Sequence, residues 1–92
     1  MRAVLASSEA QVTLPDGVAL HARPAAIFVR TAMKYKARIS VVANDREADA
    51  KSILSVLALG ARAGTTLRVV AEGEDARDAV DALTTSVSGL TE

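Results

Sequence analysis

Residues 37–60 read ARISVVANDREADAKSILSVLALG, and this stretch decides the fold. In ARISVVA the β-branched Ile39 and Val41 recur at every second position, the period of a strand with one face turned inward. Asn44-Asp45 then supplies the dipeptide type that tolerates the left-handed backbone of a two-residue hairpin turn. READA follows as a short, polar return strand. In KSILSVLALG the period changes again: Ser52 is a helix-capping residue type, the apolar residues crowd together, and Gly60 is a stop signal. The segment is therefore a hairpin followed by a short helix.

Working outward, EAQVTL alternates weakly and runs into the turn signal Pro15-Asp16-Gly17, which predicts a first strand around residues 9–14. Residues 1–8 either extend that strand or fray. From Ala22 to about Lys34, Ala25, Phe28, Val29 and Ala32 recur at intervals of three and four, predicting a helix that ends near Tyr35-Lys36. On the other side, Gly64 marks a turn and TTLRVVA is a strand with Leu67 and Val69 pointing one way. GEDARDAVDALTTSVSGL closes the chain as an amphipathic helix on Ala76, Val80, Leu83, Val87 and Leu90, with Asp75 as the expected cap and Asp78 in its first turn. The order βαββαβα predicts an α+β open-faced β-sandwich: a four-stranded antiparallel sheet with three helices on one face. Residues 1–92 make one domain.

Half of the residues are hydrophobic, enough for a core, but Phe28 and Tyr35 are the only aromatics, so aliphatic packing must carry the fold. A domain of this size buries only roughly 60–65% of the surface its unfolded chain exposes. Eleven basic residues balance eleven acidic ones, and with no aromatic platform for bases this argues against a nucleic-acid binder. The chain has no cysteine, which excludes disulfides and thiol chemistry. A single histidine without an acidic cluster makes a metal site improbable, and no cofactor is expected. No apolar run is long enough to span a bilayer, and the opening MRAVLASSEA lacks the apolar core of a secretory signal, so a cytoplasmic protein with no membrane insertion is the expectation.

The chemistry concentrates in LHARPAA, residues 20–26, which holds the one histidine. If the first helix begins at Ala22, His21 is its N-cap, Arg23 its second residue and Pro24 its third. Amides in a first helical turn lack intrahelical acceptors, and proline there forfeits no helix bond. Such a mouth favours negative charge through donors and dipole together. Neutral imidazole is nucleophilic, so His21 could take up a phosphoryl group, with Arg23 supplying a charge-assisted hydrogen bond. At the N-cap, Nδ1 is the ring nitrogen nearest those amides and the expected point of attachment. On these residues alone, an ordinary surface or capping histidine remains the bland alternative.

LHARPAA, KSILSVLALG and GTTLRVVAEGEDARDAVDAL, in this order and spacing, resemble the HPr family of histidine-containing phosphocarriers of the bacterial phosphoenolpyruvate:sugar phosphotransferase system. The likeness runs from about residue 10 to residue 90. It implies that His21, in the family's G-L-H-x-R-P-A motif, takes a phosphoryl group from enzyme I on Nδ1 and passes it to sugar-specific IIA components during sugar uptake, with Arg23 as phosphate partner. Ala19 stands where the family usually has glycine, which would stiffen the loop unless Gly17 supplies the freedom. Ser52 matches the family's regulatory serine, a substrate in some bacteria of a serine kinase/phosphorylase, alongside its role as a helix cap.

A carrier also needs a docking surface. The candidates are Ala22, Pro24, Ile27, Arg30, Lys51, Ile53, Leu54 and Leu57, with Ile53 and Leu57 at least partly exposed and Arg23, Arg30 and Lys51 complementing acidic partners. A monomer with small, transient interfaces is expected. Alternatives are a nitrogen-regulatory paralogue, an enzyme using His21 as general base, for which no second catalytic group is evident, and an interaction module in which His21 only caps a helix.

Overall fold

The computed structural model describes residues 6–91. Its elements are β1 (Ser7–Thr13), α1 (Ala22–Ala32), β2 (Arg38–Ala43), β3 (Arg46–Asp49), α2 (Ile53–Ala58), β4 (Thr66–Glu72) and α3 (Ala76–Ser88). The four strands form one sheet in the order β1-β4-β2-β3, with every neighbouring pair antiparallel. The expected βαββαβα open-faced sandwich is what the chain adopts.

Alternation within each strand separates the sheet's two faces. Ile39, Val41 and Ala43 of β2 and Leu67, Val69 and Ala71 of β4 are buried, and the registers set Val41 against Val69 and Ile39 against Ala71. On β1, Ala10 and Val12 oppose Val69 and Leu67 and pack against the same core. The intervening Glu9, Arg68, Arg38 and Glu72 stay exposed on the open face, where Arg68 reaches Glu9 at 3.4 Å. The helices close the inner face: α1 contributes Ala25, Phe28, Val29 and Ala32, and α3 contributes Ala76, Ala79, Val80, Leu83 and Val87. The small side chains of Ala76 and Ala79 let α3 lie close against β1 and β4. Among the described residues no helix is long and apolar enough to cross a membrane.

Asn44 and Asp45 both take positive φ, 53° and 62°, the pair of left-handed conformations a two-residue type I′ hairpin needs. This turn also secures α2, a helix without a basic residue in its last turn. Arg46 Nη1 donates to the Ala58 carbonyl at 3.0 Å and Asn44 Nδ2 to that of Leu59 at 3.4 Å, giving the helix's terminal carbonyls their partners.

Several boundaries differ from expectation. Ser7 and Ser8 join β1, whereas residues 1–5 lie outside the described part of the chain. Helix α1 stops at Ala32, short of Lys34, because the Lys34 and Tyr35 amides turn to the Thr31 and Ala32 carbonyls and tighten the final turn. Asp75 precedes α3 but its side chain does not cap that helix. Its carboxylate instead accepts the amides of Lys36 and Ala37, each at 2.8 Å, and so fastens the α1–β2 connection to the β4–α3 corner. Gly73 makes this approach possible: its φ is 138°, and a Cβ there would sit 3.0 Å from the Ala37 Cα.

Candidate functional site

The approach to α1 is held from below. Pro15–Val18 forms a turn closed by the Val18 amide on the Pro15 carbonyl, with Gly17 at φ 78° in its third position, as a type II turn requires. Gly17 thus holds the left-handed position of that turn, which its missing Cβ permits. Leu20 is buried and its amide donates to the Ala61 carbonyl at 3.0 Å. Ala19 between them is not among the positive-φ residues, so the backbone there makes no demand for the glycine usual at this position.

His21 comes next, exposed, with extended backbone (φ −84°, ψ −169°) at the N-cap of α1. Its carbonyl accepts the Ala25 amide at 2.8 Å and so starts the helix. His21 is the N-cap by backbone position, as expected, and its imidazole makes no capping bond. Pro24 has no N–H and Ala25 is already paired, so the mouth of α1 offers two amides, those of Ala22 and Arg23. Neither donates to any group among the described residues.

The Arg23 side chain is also exposed and forms no hydrogen bond or ion pair among the described residues. It borders a shallow cleft between the start of α1 and the end of α3, with Ile27, Thr85, Ser86 and Leu90 as further walls. The site therefore combines a free imidazole, two free amides and a free guanidinium at one helix end. Positive potential and unspent donors surround a nucleophilic ring open to solvent, an arrangement suited to taking on and releasing a small anionic group.

Ser52 stands at the N-cap of α2, where its Oγ accepts the Ser55 amide at 3.3 Å. The surface candidates divide. Leu54 is 77% exposed, and Ile53 and Leu57 are 38% and 37% exposed, so α2 does present apolar surface. Ala22 and Arg30 are exposed, and Ile27 is half-buried against the core. Pro24 is buried, which corrects its place in a docking face: as an N-terminal helix residue on the core side it packs inward. Lys51 is half-buried, with Nζ donating to the Tyr35 carbonyl at 2.7 Å, so its charge is engaged in holding the end of α1. Sequence reasoning missed Met33, which is 64% exposed at the C-cap of α1. Its position about three helical turns beyond the candidate Ala22, and so on the same helix flank, was the available signal.

A small α+β open-faced sandwich with a bare histidine at the mouth of its first helix suits a carrier domain for small anionic groups. The family model described as "PTS HPr component phosphorylation site" matches residues 8–88. The chain belongs to the HPr family, the phosphocarriers of the phosphotransferase system. It is 36% identical over 83 residues to phosphocarrier protein HPr of Buchnera aphidicola, covering 90% of this chain and 95% of that one. It is 37% identical over 70 residues to HPr of Mycoplasma capricolum, covering 76% and 79%. The HPr-C-His crystal structure from Thermoanaerobacter tengcongensis superposes with a TM-score of 0.84 at 36% identity, over 88% of this chain and 91% of that one.

Proposed function

We propose that His21 is the residue that carries the phosphoryl group, receiving it from enzyme I on Nδ1 and handing it to IIA components of sugar permeases. The observation that supports this reading is the unengaged imidazole beside the unengaged amides of Ala22 and Arg23. The ring nitrogen attacks the phosphorus of phosphorylated enzyme I, the bond to that donor breaks, and the imidazole's other nitrogen sheds its proton to solvent. The dianionic product faces two N–H donors and the Arg23 guanidinium. That stabilises it without a covalent trap, and transfer onward reverses the same step. The chain is a stoichiometric carrier in this scheme and turns nothing over.

Docking is expected on the apolar surface of α2 and the adjoining part of α1, with Arg30 attracting acidic partners. A monomer acting in the cytoplasm suits such brief encounters. Ser52 is a substrate for a serine kinase/phosphorylase in this reading; a phosphate there would alter the docking face beside Ile53 while tolerating the helix start.

Incubation with enzyme I and phosphoenolpyruvate is expected to place one acid-labile phosphoryl group on the wild type and none on His21→Ala. Labelling of the His21→Ala chain, or an unlabelled wild type, would refute the assignment.

A further inference from the structure

The chain has no cysteine, and Met33 is its one methionine among the described residues. Its place is not random. Arg23, Ile27 and Thr31 lie on one flank of α1, and the cleft shared by Arg23, Ile27, Thr85 and Ser86 shows that this flank faces α3. Ala22, Ala26 and Met33, spaced by four and seven residues, share the opposite flank. α1 also packs on α2, and with the core below and α3 on one side, that contact falls on the Met33 flank. The Lys51–Tyr35 bond confirms the placement: it pins the end of α1, two residues past Met33, to the residue preceding Ser52 and Ile53. Met33, Ile53, Leu54 and Leu57 are the exposed large hydrophobic residues of the described chain, and they are carried on two helices that pack against each other.

We infer that Met33 belongs to the apolar docking patch and is a peroxide-sensitive modification site that weakens partner docking when oxidised. The inference rests on the carrier reading above. The Met33 sulfur attacks one peroxide oxygen and the O–O bond breaks. Sulfur is oxidised by two electrons to the sulfoxide, and the peroxide is reduced to water. A thioether, soft and apolar, becomes a strong hydrogen-bond acceptor within a patch that a partner must dehydrate. Met33 is 64% exposed, which allows the reaction without unfolding. The histidine, its amides and the core are untouched, so the chemical step is left intact.

The test is steady-state phosphorylation of the full chain by enzyme I and phosphoenolpyruvate, before and after hydrogen peroxide, with peptide mass mapping to place the added oxygen on Met33 and not Met1. Oxidation is expected to raise the KM for the carrier about tenfold, the effect of burying one unsatisfied polar group, with kcat little changed. Met33→Leu should show no peroxide-dependent change in KM whatever its starting value, and Met33→Gln should show a raised KM without peroxide. An oxidised Met33 with unaltered KM, or a peroxide effect that persists in Met33→Leu, would overturn the inference. If the untreated wild type accepts no phosphoryl group at all, the carrier reading itself fails, and this inference falls with it.

Discussion

His21 and Asp75 occupy equivalent positions, one residue ahead of a helix, yet neither side chain caps. At His21 this leaves a ring free for chemistry; at Asp75 it frees a carboxylate for a tertiary task. Asp75 accepts two amides from a connection almost forty residues earlier in the chain. The Lys36 amide, above all, holds its carboxyl below the ordinary 3.8, helped by the Ala37 amide and the nearby Lys51 ammonium and opposed by desolvation. Because the folded pKa is the lower one, the unfolded chain binds the proton first as the solution is acidified. The stabilisation is therefore complete at pH values above the ordinary aspartate range and disappears as the pH falls through the depressed value. Asp75→Asn should be less stable than wild type in urea at neutral pH, and the gap should close in strong acid. A gap independent of pH would mean that the charge of Asp75 is not what holds the corner. Ser52, by contrast, does cap its helix, and Ser52→Ala should cost about 1 kcal/mol in the same assay.

Among the elements, the hairpin was the most legible. Alternation at Ile39 and Val41, followed by Asn44-Asp45, predicts a turn with two left-handed residues, and both adopt positive φ. Helix starts were equally legible, because Ala22 after His21 and Ile53 after Ser52 follow from local rules of capping and proline placement. Helix ends and corners were not. α1 ends at Ala32, before the expected Tyr35-Lys36, where Lys51 bonds the Tyr35 carbonyl just past the helix, and Asp75 turns away from its own helix toward Lys36 and Ala37. Those partners lie far off in sequence, and a local pattern holds no information about them. The same blindness affected the surface: LHARPAA singles out His21 and Arg23, and both side chains are free at the mouth of α1, but which of the surface candidates are tied into the fold could not be read. Pro24 and Lys51 read as surface residues and serve the fold, whereas Met33 reads as one more apolar residue of a helix and is exposed.

For the molecule as a whole, α1 and α2 pack together beside the core, and two basic residues with similar appearance in the sequence should behave differently there. Arg30→Glu changes an exposed charge whose one bond is a 3.5 Å contact to Ala26 of its own helix. Its stability should stay within about 0.5 kcal/mol of wild type. Its KM for enzyme I should rise several-fold at low salt, with the effect fading as salt is added. Lys51→Glu removes the bond to Tyr35 and brings a negative charge toward Asp75, so it should lose about 1–2 kcal/mol in thermal or urea unfolding. Equal stability of the two variants would show that the Lys51 tether contributes nothing to the fold.

The functional reading depends on the start of α1 acting as the cradle of a phosphorylated imidazole. Nitrogen-15 NMR of the uniformly labelled chain, before and after phosphorylation by enzyme I and phosphoenolpyruvate, tests that most directly. The phosphorus coupling should fall on Nδ1 of His21, and the amide protons of Ala22 and Arg23 should show the largest downfield shifts in the chain. Phosphorus on Nε2, or a labelled His21 with those two amide signals unmoved, would contradict the account.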